Sequence, residues 1–182
     1  LRRELVVTST GLLTNPNFDV GLEGWLSTVA GPSLQAGSTD ADGIPSSGAV
    51  EVDFGESISG FASLRQCLEL ESTDFHLLDL AVRVDGGDAG DPVVRLDLEP
   101  SAAPSCVMPL GGGSVELVAG ATVGWERVSA GWNAPADAAS VLLRLDVSGS
   151  SGLPAVVLLD RVAFGASSLV FADDFESGDV NA

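Results

Sequence analysis

Apolar and polar residues alternate at every second position in many short segments of this chain, and glycine, proline, serine and aspartate separate the segments. Successive side chains of a β-strand point to opposite faces. Such alternation therefore predicts antiparallel strands with one buried and one exposed face. The clearest cases are residues 50–54, 78–84, 94–98 and 141–147.

The last firm strand is predicted at Ala155 to Phe164, with Leu158, Asp160, Val162 and Phe164 on one parity. We expect this parity to point to the interior, where a carboxylate such as that of Asp160 needs a cation or hydrogen bonds. Eight or more strands within 182 residues predict an all-β fold, a two-sheet antiparallel β-sandwich of the jelly-roll type.

We predict one domain over residues 12–165, preceded by an arm at residues 1–11 and followed by a tail at residues 166–182. Each end carries a short apolar stretch outside the domain, at residues 5–7 and 169–171. Such a stretch can add as a strand to the open sheet edge of a neighbouring subunit. The chain begins with Leu1 instead of Met, which we interpret as a processed protein or a fragment.

The formal net charge is −18, from 26 acidic and 8 basic residues, and every basic residue is an arginine. Such a surface repels nucleic acid and anionic lipid, so we expect no nucleic-acid partner. No apolar run reaches the roughly 18 residues of a membrane-spanning helix, so we expect no membrane span. The acidic surface suits divalent cations or simply keeps the protein soluble.

The opening segment, Leu13-Thr14-Asn15-Pro16-Asn17-Phe18-Asp19 followed by Gly21, Gly24 and Trp25, resembles the "L-x-N-x-x-F-E-x-G-x-x-G-W" start of galactose-binding-like jelly rolls. These are the carbohydrate-binding modules of families 4, 9 and 22. Residues 47–52 resemble the second signature of these modules, "S-G-x-x-A-L-x-V". Residues 157–162 resemble their closing strand, "V-x-x-D-D-V". The resemblance covers about residues 12–164 and implies a jelly roll.

The same resemblance implies a structural Ca²⁺, an ion that takes six to eight oxygen ligands. Asp19 stands where the family has a ligand glutamate, and Asp160 stands where it has a ligand aspartate. The backbone carbonyls of Ser46 and Ala49 would complete the site. The alternative is that Asp19 and Asp160 only cap loops.

A second resemblance lies at the end of the chain. Residues 171–179, Phe-Ala-Asp-Asp-Phe-Glu-Ser-Gly-Asp, resemble the "F-x-D-G-F-E-S-G-D" tail of proteins secreted by Gram-negative bacteria. The resemblance implies a secreted bacterial protein, found outside the cell or at its surface.

The chain has two cysteines, Cys67 and Cys106. A cysteine pair in a secreted sandwich most often forms a disulfide, which is our prediction. The alternatives are two buried thiols or a metal pair, although one histidine elsewhere does not give zinc-site spacing.

No motif of a nucleophilic enzyme, a zinc protease or a nucleotide-binding protein occurs in the sequence. His76 is the only histidine, and no catalytic triad can be assembled around it. We therefore expect no catalytic residues and no enzyme activity.

Sugar-binding jelly rolls stack sugar rings on exposed aromatic side chains. This chain has no tyrosine and three tryptophans. Trp25 and Trp125 are expected in the core, which leaves Trp132 as the candidate platform. Arg83, Arg95 and Arg144 lie on outward parities and are candidate ligand-binding residues. Their alternative role is in cross-strand ion pairs, with acids such as Asp97 and Asp146.

Two functional hypotheses follow. In the first, the chain is a non-catalytic extracellular structural subunit that assembles with copies of itself through a terminal strand. In the second, it is a calcium-stabilised carbohydrate-binding module of a secreted glycan-active or adhesive protein, and its partner is a glycan.

Overall fold

A computed structural model describes residues 13–39, 41, 48–55, 59–71, 75–150 and 153–166, and the backbone of residues 4–7 and 167–170. The strands of this part of the chain are β1 (Glu4–Val7), β2 (Leu26–Ala30), β3 (Ser33–Gly37), β4 (Ala49–Asp53), β5 (Gly60–Glu69), β6 (Phe75–Gly86), β7 (Val93–Ser101), β8 (Gly113–Ala119), β9 (Glu126–Asn133), β10 (Ser140–Gly149) and β11 (Ala155–Val170). No helix among these residues is long and apolar enough to cross a membrane.

The strands form two antiparallel sheets. The first sheet has the order β3-β4-β11-β6-β9, and β1 pairs with the far end of β11. The second sheet has the order β2-β5-β10-β7-β8. This arrangement confirms the predicted two-sheet antiparallel sandwich of the jelly-roll type.

The core lies between the sheets and consists of the apolar parity of each strand. All four alternating segments of the sequence contribute to it as predicted. Their buried members include Val52 of β4, Leu80 of β6, Leu96 of β7 and Leu143 of β10. Trp25 is also buried there, as expected.

The prediction of one continuous inward parity in β11 is wrong. Val157 and Leu159 lie opposite the core residues of β6, whereas Asp160 lies on the outer face. A β-bulge between Asp160 and Ala163 inserts one residue, so that Val162 is the next core residue. A shift of one residue exchanges the two faces of a strand, which explains the change of parity.

The two ends of the domain pair with each other. β1 runs antiparallel to the end of β11, with Glu4 opposite Val170 and Val7 opposite Ser167. β11 continues without a break past residue 165, the predicted end of the domain. Within the described residues, the N-terminal arm therefore extends a sheet of its own chain. The tail motif at residues 171–179 lies outside the described residues.

Candidate functional site

Asn15 organises the loop that carries the opening motif. Its side-chain Nδ2 donates to the backbone carbonyls of Gly21 (2.8 Å) and Glu23 (3.2 Å). Its backbone carbonyl accepts a hydrogen bond from the indole N–H of Trp25 (3.2 Å). Phe18 packs on Trp25 with ring centroids 5.5 Å apart. The motif therefore builds a folded loop over the sandwich.

This loop reaches the two other segments of the family resemblance. A Cβ at Gly48 would lie 2.4 Å from the Phe18 carbonyl oxygen, so only glycine fits there. The Val162 N–H donates to the Pro16 carbonyl at 2.9 Å. The loop, the start of β4 and the bulge of β11 consequently meet at one place.

Asp160 lies at this meeting point and is fully buried. Its carboxylate accepts hydrogen bonds from the backbone N–H of Ala41 (3.1 Å) and of Arg161 (2.6 Å). A buried carboxylate beside backbone carbonyls fits the oxygen donors that Ca²⁺ requires. The N–H bonds agree equally with the alternative that Asp160 caps a loop.

The other predicted calcium ligands are less well placed or not described. Asp19 follows Phe18 in the same loop, but its side chain is exposed. Ala49 is buried at the start of β4, next to Gly48. Ser46 lies outside the described residues. Calcium therefore stays a prediction, and Asp160 is its best-placed ligand.

The predicted disulfide is confirmed. Cys67 of β5 is bonded to Cys106, with Cα atoms 6.0 Å apart. Cys106 belongs to the loop after β7, and its backbone N–H donates to the Ser140 hydroxyl at 3.2 Å. The bond ties this loop to the second sheet.

The outer face of the second sheet carries rows of mostly polar side chains. One row crosses all five strands through directly opposite residues, Leu26, Arg65, Arg144, Asp97 and Ser114. The neighbouring row is Thr28, Ser63, Asp146, Arg95 and Glu116. Cavities of about 380 and 320 Å³ lie over these rows and meet at Asp97, Ser114 and Arg144. We call this surface the second-sheet groove.

Arg144 holds the centre of the groove through three carboxylates. It donates to Asp97 (Nη2, 2.5 Å), Asp146 (Nε, 2.9 Å) and Glu99 (Nη1, 3.1 Å). The Asp97 hydrogen bond raises the pKa of Arg144, so the guanidinium stays charged. The predicted ion pairs of Arg144 are confirmed, and Arg95 instead pairs with Glu116 at 3.6 Å.

Two neighbouring carboxylates in the groove differ in acidity. Burial raises the pKa of Asp97, but hydrogen bonds to Arg144, Asp146 and Ser114 outweigh this and lower it overall. Burial raises the pKa of Asp146, and the hydrogen bond to Asp97 raises it further. The Ser63 hydroxyl partly offsets this rise. The oxygen of this hydroxyl is buried.

Phe61 and Arg65 also belong to the groove, and neither was predicted from the sequence as a site residue. Phe61 is 43 % exposed and lines the same cavity as Arg65. Arg65 makes no hydrogen bond or ion pair with the described residues. A readable signal existed, because Phe61 shares its parity with the polar residues Ser63 and Arg65, whereas Ala62 and Leu64 form the apolar parity.

The other predicted ligand-binding residues lie elsewhere. Arg83 is on the outer face of the first sheet, where it pairs with Asp85 at 2.8 Å. Trp132 of β9 is partly buried against the core, with its ring 5.6 Å from His76 and 6.2 Å from Phe164. The structure thus brings together Arg95 and Arg144 but not Arg83 or Trp132.

Trp125 does not occupy the expected core position. It is half-buried and lines a cleft of about 410 Å³ on the outer face of the first sheet. Ala81, Asp79, Arg127 and Arg161 line the same cleft. The described residues contain no cluster of three or more metal-ligating side chains, so neither cleft nor groove has a side-chain metal centre.

No protein-family model and no curated protein matches this chain. Several solved structures share its fold at low sequence identity. A family 61 carbohydrate-binding module, TmCBM61, in complex with β-1,4-galactotriose is 17% identical over 87% of this chain and 99% of that chain, with a TM-score of 0.62. The CBM22-2 xylan-binding domain of Paenibacillus barcinonensis Xyn10C is 13% identical over 83% and 97%, with a TM-score of 0.53.

The fold also occurs as part of a larger protein. The enzymatically active domain of bacteriophage CBA120 tailspike protein 4 matches 86% of this chain with a TM-score of 0.66 and 10% identity. This chain spans only 21% of that tailspike chain. Together these likenesses show that the chain has the jelly-roll fold of carbohydrate-binding modules.

Proposed function

We propose that this chain is a non-catalytic, secreted carbohydrate-binding module that binds its glycan in the second-sheet groove. The observation that carries the proposal is the combination of an exposed aromatic ring, Phe61, with a prearranged set of charged groups on one open sheet face. Ligand sites combine apolar surface with a few well-placed polar groups. An aromatic ring stacks on the apolar face of a sugar, and carboxylates and guanidinium groups pair with its hydroxyls.

Arg144 is held in place before any ligand arrives. Its three carboxylate partners fix the guanidinium, and Asp97 and Asp146 line the groove as hydrogen-bond acceptors. Fixed partners lower the ordering cost of binding.

The fold likeness supports the class of ligand. One structure with this fold was determined with β-1,4-galactotriose, and another is a xylan-binding domain. We therefore propose a neutral polysaccharide, of the galactan or xylan class, as the partner. The acidic surface of this chain opposes a strongly anionic glycan.

A bound Ca²⁺ would contribute stability instead of chemistry. Asp160 and the neighbouring backbone carbonyls would hold the ion, and the ion would tie the opening loop to β4 and β11. The proposal of glycan binding does not depend on this ion, because the groove lies on the other sheet.

The first hypothesis, a self-assembling structural subunit, has less support. It was suggested by the apolar arm at residues 5–7. In the structure this arm belongs to β1, and β1 pairs with β11 of the same chain. Assembly with copies of the chain remains a prediction without a described surface that favours it.

The test is retention on insoluble galactan and xylan, measured for the wild-type protein and for Phe61→Ala and Arg65→Ala. Arg83→Ala is the matched control, because Arg83 is an outward arginine on the other sheet. We expect at least about fivefold weaker retention for both groove variants and unchanged retention for the control, in line with about 1–3 kcal/mol for an anchor side chain. Equal retention of all three variants would contradict the groove.

A further inference from the structure

The cleft that contains Trp125 has a floor of small side chains and walls of larger or loop residues. Its floor is formed by small outward residues, Ala81 of β6 and Ala163 of β11, which leave open space above the first sheet. One wall contains Pro16 and Ala41, which are hydrogen-bonded to Val162 and Asp160 of β11. The opposite wall contains Trp125, directly before β9.

A prearranged charge pair lies at the edge of this floor. Asp79 is only 8 % exposed although it points to the outer face. Arg127 Nε donates to both Asp79 oxygens at 2.8 and 2.7 Å, and Nη2 adds a further contact. The carboxylate, which is an acceptor, and the largely exposed guanidinium, which is a donor, thus lie side by side at the cleft.

The charges of the described residues that line the cleft balance. Asp79 and Glu126 contribute two negative charges, and Arg127 and Arg161 contribute two positive charges. This balance among the described residues favours a neutral ligand with many hydroxyl groups over an ion. An indole wall, an apolar floor and an acceptor–donor pair are what a pyranose ring requires.

We propose that this cleft is a second carbohydrate site, which binds one or two units of a neutral sugar against Trp125 and the Asp79–Arg127 pair. It lies on the first sheet, so it acts independently of the second-sheet groove. A volume of about 410 Å³ is within the usual range for small-ligand sites, roughly 300–1,000 Å³.

Tryptophan fluorescence distinguishes the two sites. Trp25 is buried and Trp132 packs on the core, and no tryptophan lines the second-sheet groove within the described residues. A ligand in the cleft therefore changes the emission of Trp125. A ligand in the groove leaves emission unchanged.

The experiment is a fluorescence titration with galactose, β-1,4-galactotriose and xylohexaose. We expect a saturable change for at least one sugar. It should persist in Arg65→Ala and weaken at least tenfold in Ala81→Leu, which fills the floor. If near-ultraviolet circular dichroism shows that Ala81→Leu is misfolded, Asp79→Asn replaces it with the same expectation.

Two results would overturn the second site. One is the absence of any emission change with all three sugars, even if the groove binds them by calorimetry. The other is a change that is lost in Arg65→Ala but kept in the floor variant. Loss of calorimetric binding in Arg65→Ala with an unaltered emission change would leave both sites supported.

Discussion

Arg65 and Arg144 lie directly opposite each other on neighbouring strands β5 and β10, but within the described part of the chain only Arg144 has carboxylate partners. The three carboxylates around Arg144 outnumber its single charge, so the surroundings of Arg65 are not cationic. The exposed guanidinium of Arg65 contributes little to stability there, and it lines the groove.

We predict that Arg65→Ala changes the free energy of unfolding by no more than about 0.5 kcal/mol, or increases it. Arg144→Met should instead lower it by about 1–3 kcal/mol, because three partly buried carboxylates lose their cation. Urea denaturation of both variants measures this difference. A large loss of stability in Arg65→Ala would show that the residue has a structural partner.

Stability at acidic pH should depend on Asp97. Its folded-state pKa lies below the ordinary value of 3.8, so its contribution is present above that pH and is lost as the pH falls through the lowered value. Asp146 has a raised pKa and the opposite sign, so its contribution is lost as the pH rises through the raised value.

We therefore expect Asp97→Asn to cost about 1–2 kcal/mol at neutral pH, and Asp146→Asn to cost less. The difference between the variants should shrink as the pH falls through the lowered pKa of Asp97. Urea denaturation over a series of pH values from 7 downward, for as long as the protein stays folded without urea, tests this. A difference that does not shrink at the acidic end of the series would contradict the assigned signs.

Trp132 should matter for stability and not for glycan binding. Its ring packs on the core beside His76 and Phe164. Trp132→Ala should lower the free energy of unfolding by about 2–4 kcal/mol, somewhat less than for a fully buried ring. Retention on glycan should be unchanged while the variant is folded. Lost retention in a folded variant would restore Trp132 as a sugar platform.

Calcium should raise the melting temperature if Asp160 holds the ion. Each kcal/mol of binding energy shifts melting by roughly 2–4 °C for a domain of this size. A chelator should remove the increase, Asp160→Asn should abolish it, and the exposed Asp19→Asn should reduce it less. Identical melting with calcium and with chelator, together with no metal by elemental analysis, rejects the ion.

The strand pattern was predictable because alternation is a local property. Val52 and Glu51 differ in polarity, and that difference alone fixes which face of β4 is buried. The bulge of β11 was not predicted. The apolar residues Val157 and Leu159 lie on one parity and Val162 lies on the other, with Asp160 and Arg161 between them. The change of parity is readable in the sequence, but whether it means a bulge or the end of a strand depends on pairing with β6.

The candidate site was less predictable because it depends on register between distant strands. Arg144 and Asp97 were expected to pair, and they do. Whether Arg65 would meet a carboxylate or another arginine is decided by the pairing of β5 with β10. The position of Trp125 was predicted wrongly for a similar reason, because the cleft that it lines also has a wall from the opening loop at Pro16, far away in the sequence.

Binding of a neutral glycan in the second-sheet groove is best tested by nuclear magnetic resonance. Backbone amide signals would be followed during titration with β-1,4-galactotriose and with xylohexaose. We expect saturable shifts in β5, β7 and β10 around Phe61, Arg65 and Arg144, which disappear in Arg65→Ala. The absence of shifts in these strands with either sugar, or shifts there that persist unchanged in Arg65→Ala, would contradict it.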